Sequence, residues 1–375
     1  GAGSASWDLS AITGKSGDCG GNSGITFTTP ATQTCTMSTN QNWSTVGIWT
    51  SRVPLPQDNV SMAGVTGGQL TADMPRLGKS IDWTGATGSP TWALAITTNS
   101  IFGSVTLIAG MTITGTTNVE LRGRSSFTLT SAGKQYTTNN FILVAPSGTY
   151  TLTDALSTAS ALTVNNGTLN SGSFTITAGS FVSTNSNTRG LTLGTSTFNL
   201  TATSGTIWNT GTTTNFTFSG ASSIIVISTT SASARTFLGG GLTYGTLTYT
   251  VAGSTGKLTL TSSDSYAVIN FMDSSNARTL EFTAAVVPTI RTKNGFNVQG
   301  TSGKLMTVIS ATSAAHFLSS TLEQSCDYLN LVYSTAQGGG NWYAGANSTD
   351  GGNNSGWIYT APPAGAKNML LLGVA

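Results

Sequence analysis

The sequence predicts an all-β protein folded as a parallel β-helix, a solenoid with atypical capping segments at both ends. Three observations carry that expectation. Only 7% of the 375 residues are charged and 46 are glycine; short apolar runs recur about every 18 to 25 residues; and within each run apolar residues alternate with Thr or Asn, a period of two. Low charge argues against long amphipathic helices, which need Glu and Lys on the wet face. A hydrophobic content of 38% argues against disorder. A net charge of +2 offers no basic stripe to displace counterions from phosphates, so no nucleic-acid partner is expected. No apolar run approaches the ~18 to 20 residues of a helical membrane span, the nearest being Met369-Leu-Leu-Leu, so membrane insertion is not expected. The opening Gly1-Ala-Gly-Ser carries no legible signal peptide.

The runs begin near Val105, Phe127, Leu152, Phe174, Phe198, Phe216, Phe237, Leu258, Leu280, Leu305 and Tyr328. Second and third short runs inside a period, as in Leu162-Thr-Val, Phe174-Thr-Ile and Phe181-Val, suit a two- or three-sided coil better than a hairpin repeat. Hairpins would also demand Asn-Gly or Asp-Gly turns. Such dipeptides occur only at Asn166-Gly167, Asn294-Gly295 and Asp350-Gly351. A sandwich array would need linkers, and none is visible between residues 105 and 335. Expected inward positions are Leu129, Leu162, Phe174, Ile176, Leu193, Phe198, Phe216, Phe218, Ile225, Leu258, Leu260, Phe282 and Leu329.

The ends read differently from the middle. Residues 1–100 hold five of the eight tryptophans, Trp7, Trp43, Trp49, Trp83 and Trp92, and are expected to form an N-terminal cap and attachment region, because an open solenoid end would template further strands. Trp43, Trp49, Arg52, Arg76 and Trp83 are its candidate attachment residues. Residues 101–337 are expected to form about ten coils. Residues 338–375, with Trp342-Tyr-Ala-Gly, Gly356-Trp357 and Pro362-Pro363, form a second cap and a tail. Cys19 and Cys35 bracket Gly20 to Thr34 and are candidates for a disulfide. Cys326 reads as a small buried hydrophobe.

Asn42-Trp-Ser with Trp49-Thr-Ser-Arg-Val-Pro-Leu-Pro-Gln-Asp-Asn-Val60, the Ser/Thr-rich coils including Phe237-Leu-Gly-Gly-Gly-Leu-Thr-Tyr244, and the block from Trp342 to Trp357 resemble the solenoid structural and adhesin-like surface proteins of tailed phages and environmental bacteria. The resemblance spans nearly the whole chain, and its specific part is the two end blocks. It implies a right-handed parallel β-helix used as a virion or cell-surface appendage, with no catalytic residue set to carry over.

Chemistry-bearing residues are few. His316 is the only histidine, and Ala314-Ala-His-Phe-Leu-Ser contains no nucleophile elbow, which favours a core or turn role. One His and three dispersed Cys make no tetrahedral metal set. Gly239-Gly-Gly241 and Gly338-Gly-Gly340 lack the Lys of a phosphate loop and read as turns. Asp264, Asp273, Glu281, Glu323 and Asp327 are the carboxylates from which a glycan-cleaving pair would be drawn. Asn347, Asp350, Asn353 and Asn354 place oxygens on one turn that calcium accepts or that simply make Asx turns. Trp342, Tyr343, Trp357 and Tyr359 are candidates for stacking on sugar rings or for plugging the core.

The resulting expectation is a non-enzymatic structural or adhesive virion surface component, a fibre, spike or capsid-surface protein without cofactor or metal. It is expected as a homo-oligomer, with a trimer favoured, alongside other virion proteins and with host surface glycans as candidate partners. A glycan-degrading tailspike enzyme and a bacterial secreted or surface adhesin are the alternatives.

Overall fold

Stacked coils whose strands pair in parallel make up the computed structural model, which describes residues 7–13, 15–137 and 140–363. The chain is an all-β parallel solenoid of about 16 turns, with one 3-10 turn at Val46–Ile48. The Met369-Leu-Leu-Leu part of the expected tail lies outside the described residues. Two compact units divide the chain, Gly1–Leu193 with Thr214–Thr217, and Gly194–Thr213 with Phe218–Ala375.

In the first unit three ladders run from coil to coil. One joins Arg76–Gly78, Thr98–Ile101, Asn118–Leu121 and the first part of the long strand Asn140–Leu152. Another joins Thr32–Met37, Asn59–Val65 and Ile81–Asp82, and continues through Val105–Thr106 and Ser126–Thr130. A third joins Gln41–Asn42, Gln69–Ala72, Thr91–Leu94 and Thr112–Thr114. Period-two alternation sends one set of side chains inward. In the third ladder Leu70, Trp92 and Ile113 stand in register, all buried.

In the second unit the same rule builds Gly205–Asn209, Arg235–Leu238, Leu258–Leu260, Thr279–Phe282, Met306–Ser310 and Leu329–Val332 into one parallel ladder. Its inward file, Leu258, Leu280, Val308 and Leu331, is fully buried. Aromatic rings add to the stack: Trp208 lies on Phe237 at 5.5 Å between centroids and Tyr244 on Tyr266 at 5.6 Å. Each such side chain contributes about 1.5 to 3 kcal/mol through removal from water. The step between coils varies, from 15 residues between Trp342 and Trp357 to 30 between Gly205 and Arg235, because turns lengthen while strands keep their register.

The ladders extend beyond both expected boundaries of the coil region. Coil-to-coil parallel pairing includes Thr32–Met37 with Asn59–Val65 at one end and Trp342–Tyr343 with Trp357–Ile358 at the other, and a separate two-stranded parallel sheet joins Trp7–Asp8 to Ile25–Thr26. Of the five tryptophans in residues 1–100, Trp43, Trp49, Trp83 and Trp92 are buried, while Trp7 is exposed. Of the expected inward set, Leu129, Leu162, Ile176, Leu193, Phe198, Ile225, Leu258, Leu260, Phe282 and Leu329 are buried. Phe216 and Phe218 are only half-buried, and Phe174 is 39% exposed. Phe174 follows a turn in which its backbone N–H reaches Ser171 O at 2.9 Å; the strand proper starts at Ile176, so Phe174 precedes the strand and escapes its inward register.

Phe181, seven positions on in the same unit, is fully buried. Phe181→Ala is therefore expected to cost about 3 to 5 kcal/mol and Phe174→Ala under about 1 kcal/mol. Chemical denaturation of the two variants checks this, and equal losses would show that the inward register at this coil is misplaced.

Candidate functional site

The structure sends most residues singled out by the sequence into the core. Trp43, Trp49 and Trp83 are buried, with Trp43 and Trp49 rings 4.9 Å apart and Trp83 beside Trp92 at 5.9 Å. Arg52 is held by Asp58 through Nε to Oδ2 at 3.0 Å and Nη2 to Oδ1 at 2.6 Å. Of the five attachment candidates only Arg76 is exposed. Cys19 and Cys35 are unbridged; Cys35 is an inward residue of Thr32–Met37, and burial pushes its thiol up to about 12, which makes it inert. Cys326 is buried, its Sγ against Phe296 O at 3.2 Å.

The sugar-stacking candidates are likewise packed. Trp342, Tyr343 and Trp357 are buried, Trp342 against Phe296 at 5.6 Å and Trp357 at 5.3 Å, while Tyr359 is half-buried. The indole N–H groups of Trp342 and Trp357 donate to Gln337 O and Ser334 Oγ. These rings plug the core, leaving no broad face for a sugar. Asp350 Oδ1 accepts from Gly352 N at 2.9 Å and Asn354 Nδ2 at 2.6 Å, an Asx turn in place of a calcium loop.

The five carboxylates are dispersed into separate structural tasks. Glu281 pairs with Lys257 at 2.8 Å and Glu323 with Lys293 at 3.3 Å. Asp273 lies 3.6 Å from Arg278, whose buried guanidinium covers the Tyr249 and Phe271 rings. Asp327 accepts from Asn347 Nδ2 at 2.9 Å and from the Tyr328 N–H. Asp264 anchors the glycine triplet: its Oδ1 takes Gly241 N and Leu242 N at 2.8 and 3.2 Å, and its Oδ2 takes Tyr266 Oη at 2.9 Å. A Cβ on Gly239 would lie 2.1 Å from that carboxylate, and Gly240 and Gly241 have φ of +75° and +76°, so all three positions demand glycine. His316 is buried, stacked on Phe282 at 4.6 Å, with Nε2 3.1 Å from Ser334 Oγ.

A concavity of about 1010 Å³ lies on the second unit, over the outer face of Thr243–Tyr249, Ser265–Met272 and Phe296–Gln299. Its origin is an insertion. Tyr266 pairs with Ile290 and Ile269 with Phe296, so Ala267 and Val268 on one coil face the longer segment Arg291 to Gly295 on the next. That bulge is tied down by Thr292 Oγ1 to Ala267 O at 2.7 Å and Gln324 Nε2 to Thr292 O at 2.9 Å. Its Gly295 passes so close to Ala267 that a Cβ would meet the carbonyl oxygen at 2.4 Å. Inward, Ile269, Phe271, Phe296 and Val298 are buried; outward, Thr246, Val268, Asn270, Met272, Asn297 and Gln299 line the groove. Asn297 Nδ2 donates to Asn270 Oδ1 at 3.0 Å and Asn270 Nδ2 to Thr248 Oγ1 at 3.3 Å, an amide ladder across three coils. None of these side chains stands out in the sequence. The Asn-Gly of the bulge and the Asn repeated one long coil apart are the traces that mark them.

Burial raises Asp264 to about 6 and lowers His316 to about 4. Asp264 holds its proton more tightly folded than unfolded, so its contribution to stability is full below its ordinary 3.8 and lost as pH rises through about 6. His316 is the reverse, contributing fully above 6.5 and losing that contribution as pH falls through about 4. Each is worth roughly 3 kcal/mol, and in the shared window they offset. Asp264→Asn is expected to gain stability over wild type by roughly that amount as the pH is raised from 4 to 7, read from denaturant midpoints. A pH-independent difference would show that Asp264 titrates normally. No family model, curated protein or solved structure matches this chain.

Proposed function

We propose that the chain is a structural and adhesive component of a virion surface, a fibre, spike or capsid-surface protein that works by presenting its solenoid faces and not by turnover. The carrying observation is the outer surface, where uncharged side chains hydrogen-bond from coil to coil. Thr130 meets Thr153 at 2.6 Å, Asn140 meets Asn118 at 3.2 Å, and the Asn297, Asn270 and Thr248 ladder repeats the device in the second unit. Such a wall combines rigidity with neutral recognition chemistry. The dispersed carboxylates support the non-catalytic reading, since each is already committed to a turn, an ion pair or a strand.

Assembly as a homo-oligomer, a trimer in this reading, with other virion proteins requires apolar surface to bury. The best-placed surface is N-terminal: Trp7 is 69% exposed, and Ile12 and Ile25 are exposed near it in sequence or pairing, Trp7 standing beside Ile25 in a two-stranded parallel sheet. Attachment thus moves from the buried Trp43, Trp49 and Trp83 to this exposed group.

Gold-labelled antibody against the protein is expected to decorate intact virions, and purified protein to leave capsular and lipopolysaccharide glycans uncleaved. Trp7→Ser with Ile25→Ser is expected to keep the fold and reduce incorporation into the assembly about tenfold, a loss of roughly 1.4 kcal/mol of association. Glycan depolymerisation abolished by a substitution at Asp264, Asp273 or Glu281 would transfer the assignment to a tailspike enzyme.

A further inference from the structure

We propose that the groove over Thr243–Tyr249, Ser265–Met272 and Phe296–Gln299 binds a neutral, linear oligosaccharide. The inference rests on the reading of the chain as an adhesive surface protein and names the chemistry that surface recognises.

Charge decides the class of ligand. The charged side chains at the groove are satisfied by the protein itself: Lys293 by Glu323 at 3.3 Å, Asp273 by Arg278 at 3.6 Å, and Asp327 by Asn347 Nδ2 at 2.9 Å and a backbone N–H. Lys293 is thus the lining cation and it is paired, so an anionic ligand finds no free cation in the lining, while Asp327 is held by neutral donors alone. The floor offers neutral amides and hydroxyls. The ladder is directional, running as a donor chain from Asn297 through Asn270 to Thr248. Its first member, Asn297 Oδ1, accepts from no protein donor among the described residues and is open to a ligand hydroxyl. Val268 and Met272 lie half-buried between these polar groups. Along Ser265–Met272 the outward row reads Val268, Asn270, Met272, apolar and amide in turn, which matches a sugar chain with its alternating hydroxyl groups and C–H faces. Only this coil carries the apolar pair; the coils on either side place Thr246, Asn297 and Gln299 outward, so polar groups flank the row on both sides. The volume, about 1010 Å³, accommodates several units.

Calorimetry and saturation-transfer NMR on the full chain test this with neutral hexasaccharides of glucose, mannose and rhamnose, and with a hexauronate as the charged control. At least one neutral probe is expected to bind and the hexauronate is not. Asn297→Ala, which removes the open acceptor, and Val268→Trp, which fills the groove from outside the core, are each expected to weaken binding about tenfold or more. Circular dichroism identifies folded variants, and either one suffices. Absence of binding by every neutral probe, preference for the hexauronate, or binding indifferent to both substitutions would overturn the assignment. Virions that carry the protein while it binds none of the probes would remove the groove and leave the surface reading; binding by a protein that virions lack would do the reverse.

Discussion

The coil-to-coil backbone ladder is the constraint on which everything else depends. The strand pairings among the described residues are parallel and reach one coil away, as when Leu258 stands beside Leu280 and Leu280 beside Val308. Closing each pairing requires about 20 residues of intervening chain to be ordered, a substantial entropy cost. The inward file of Leu, Val, Phe and Trp offsets it, because the register that closes the ladder also brings like side chains into contact. Stability is thus distributed as a sum of neighbouring-coil terms.

That distribution explains why charge is scarce and where it is tolerated. A few ionised groups lie inside, packed against aromatic rings and partly hydrogen-bonded, with Arg235 Nε and Arg278 Nε and Nη1 left without a hydrogen bond. Arg235 has its guanidinium over Tyr249, with Nη1 2.6 Å from the Tyr249 hydroxyl, and Arg278 lies 4.4 Å from the centroid of the same ring with Asp273 nearby. Removing one member of such a set leaves a buried charge behind, which is far costlier than removing the whole set. Turns are the other place where polar groups are buried, as Asp264 beneath its three glycines illustrates.

The fold was legible in the sequence because it is written as a local period. Alternation within runs such as Leu258-Thr-Leu and recurrence between runs survive without any knowledge of tertiary structure, and ten of the thirteen expected inward residues are buried accordingly. The inward placement of Trp43, Trp49, Trp83 and Trp92 was not legible for a physical reason. Tryptophan is equally suited to a cap and to an inward position, and composition alone does not separate Trp92 in register with Leu70 from a surface aromatic. Phe174 shows the limit of period-two reading at a turn, where the alternating register has not yet begun. The groove was not legible because its residues are the commonplace outward Thr and Asn. What gathers them is the extra length of Arg291 to Gly295, and the same extra length put Asn270 and Asn297 out of step with the usual coil spacing.

The insertion at Arg291 to Gly295 also separates two things that most binding proteins couple. On Ser265–Met272 and Phe296–Gln299 the inward residues fix the solenoid and the outward ones meet solvent, so the two sets are read by different neighbours. The outward alphabet can be rewritten one letter at a time without disturbing the inward one, and a corner can gain or lose residues while the flanking strands hold their register. A fold of this kind carries a surface whose recognition properties can diverge quickly under selection while its architecture stays fixed.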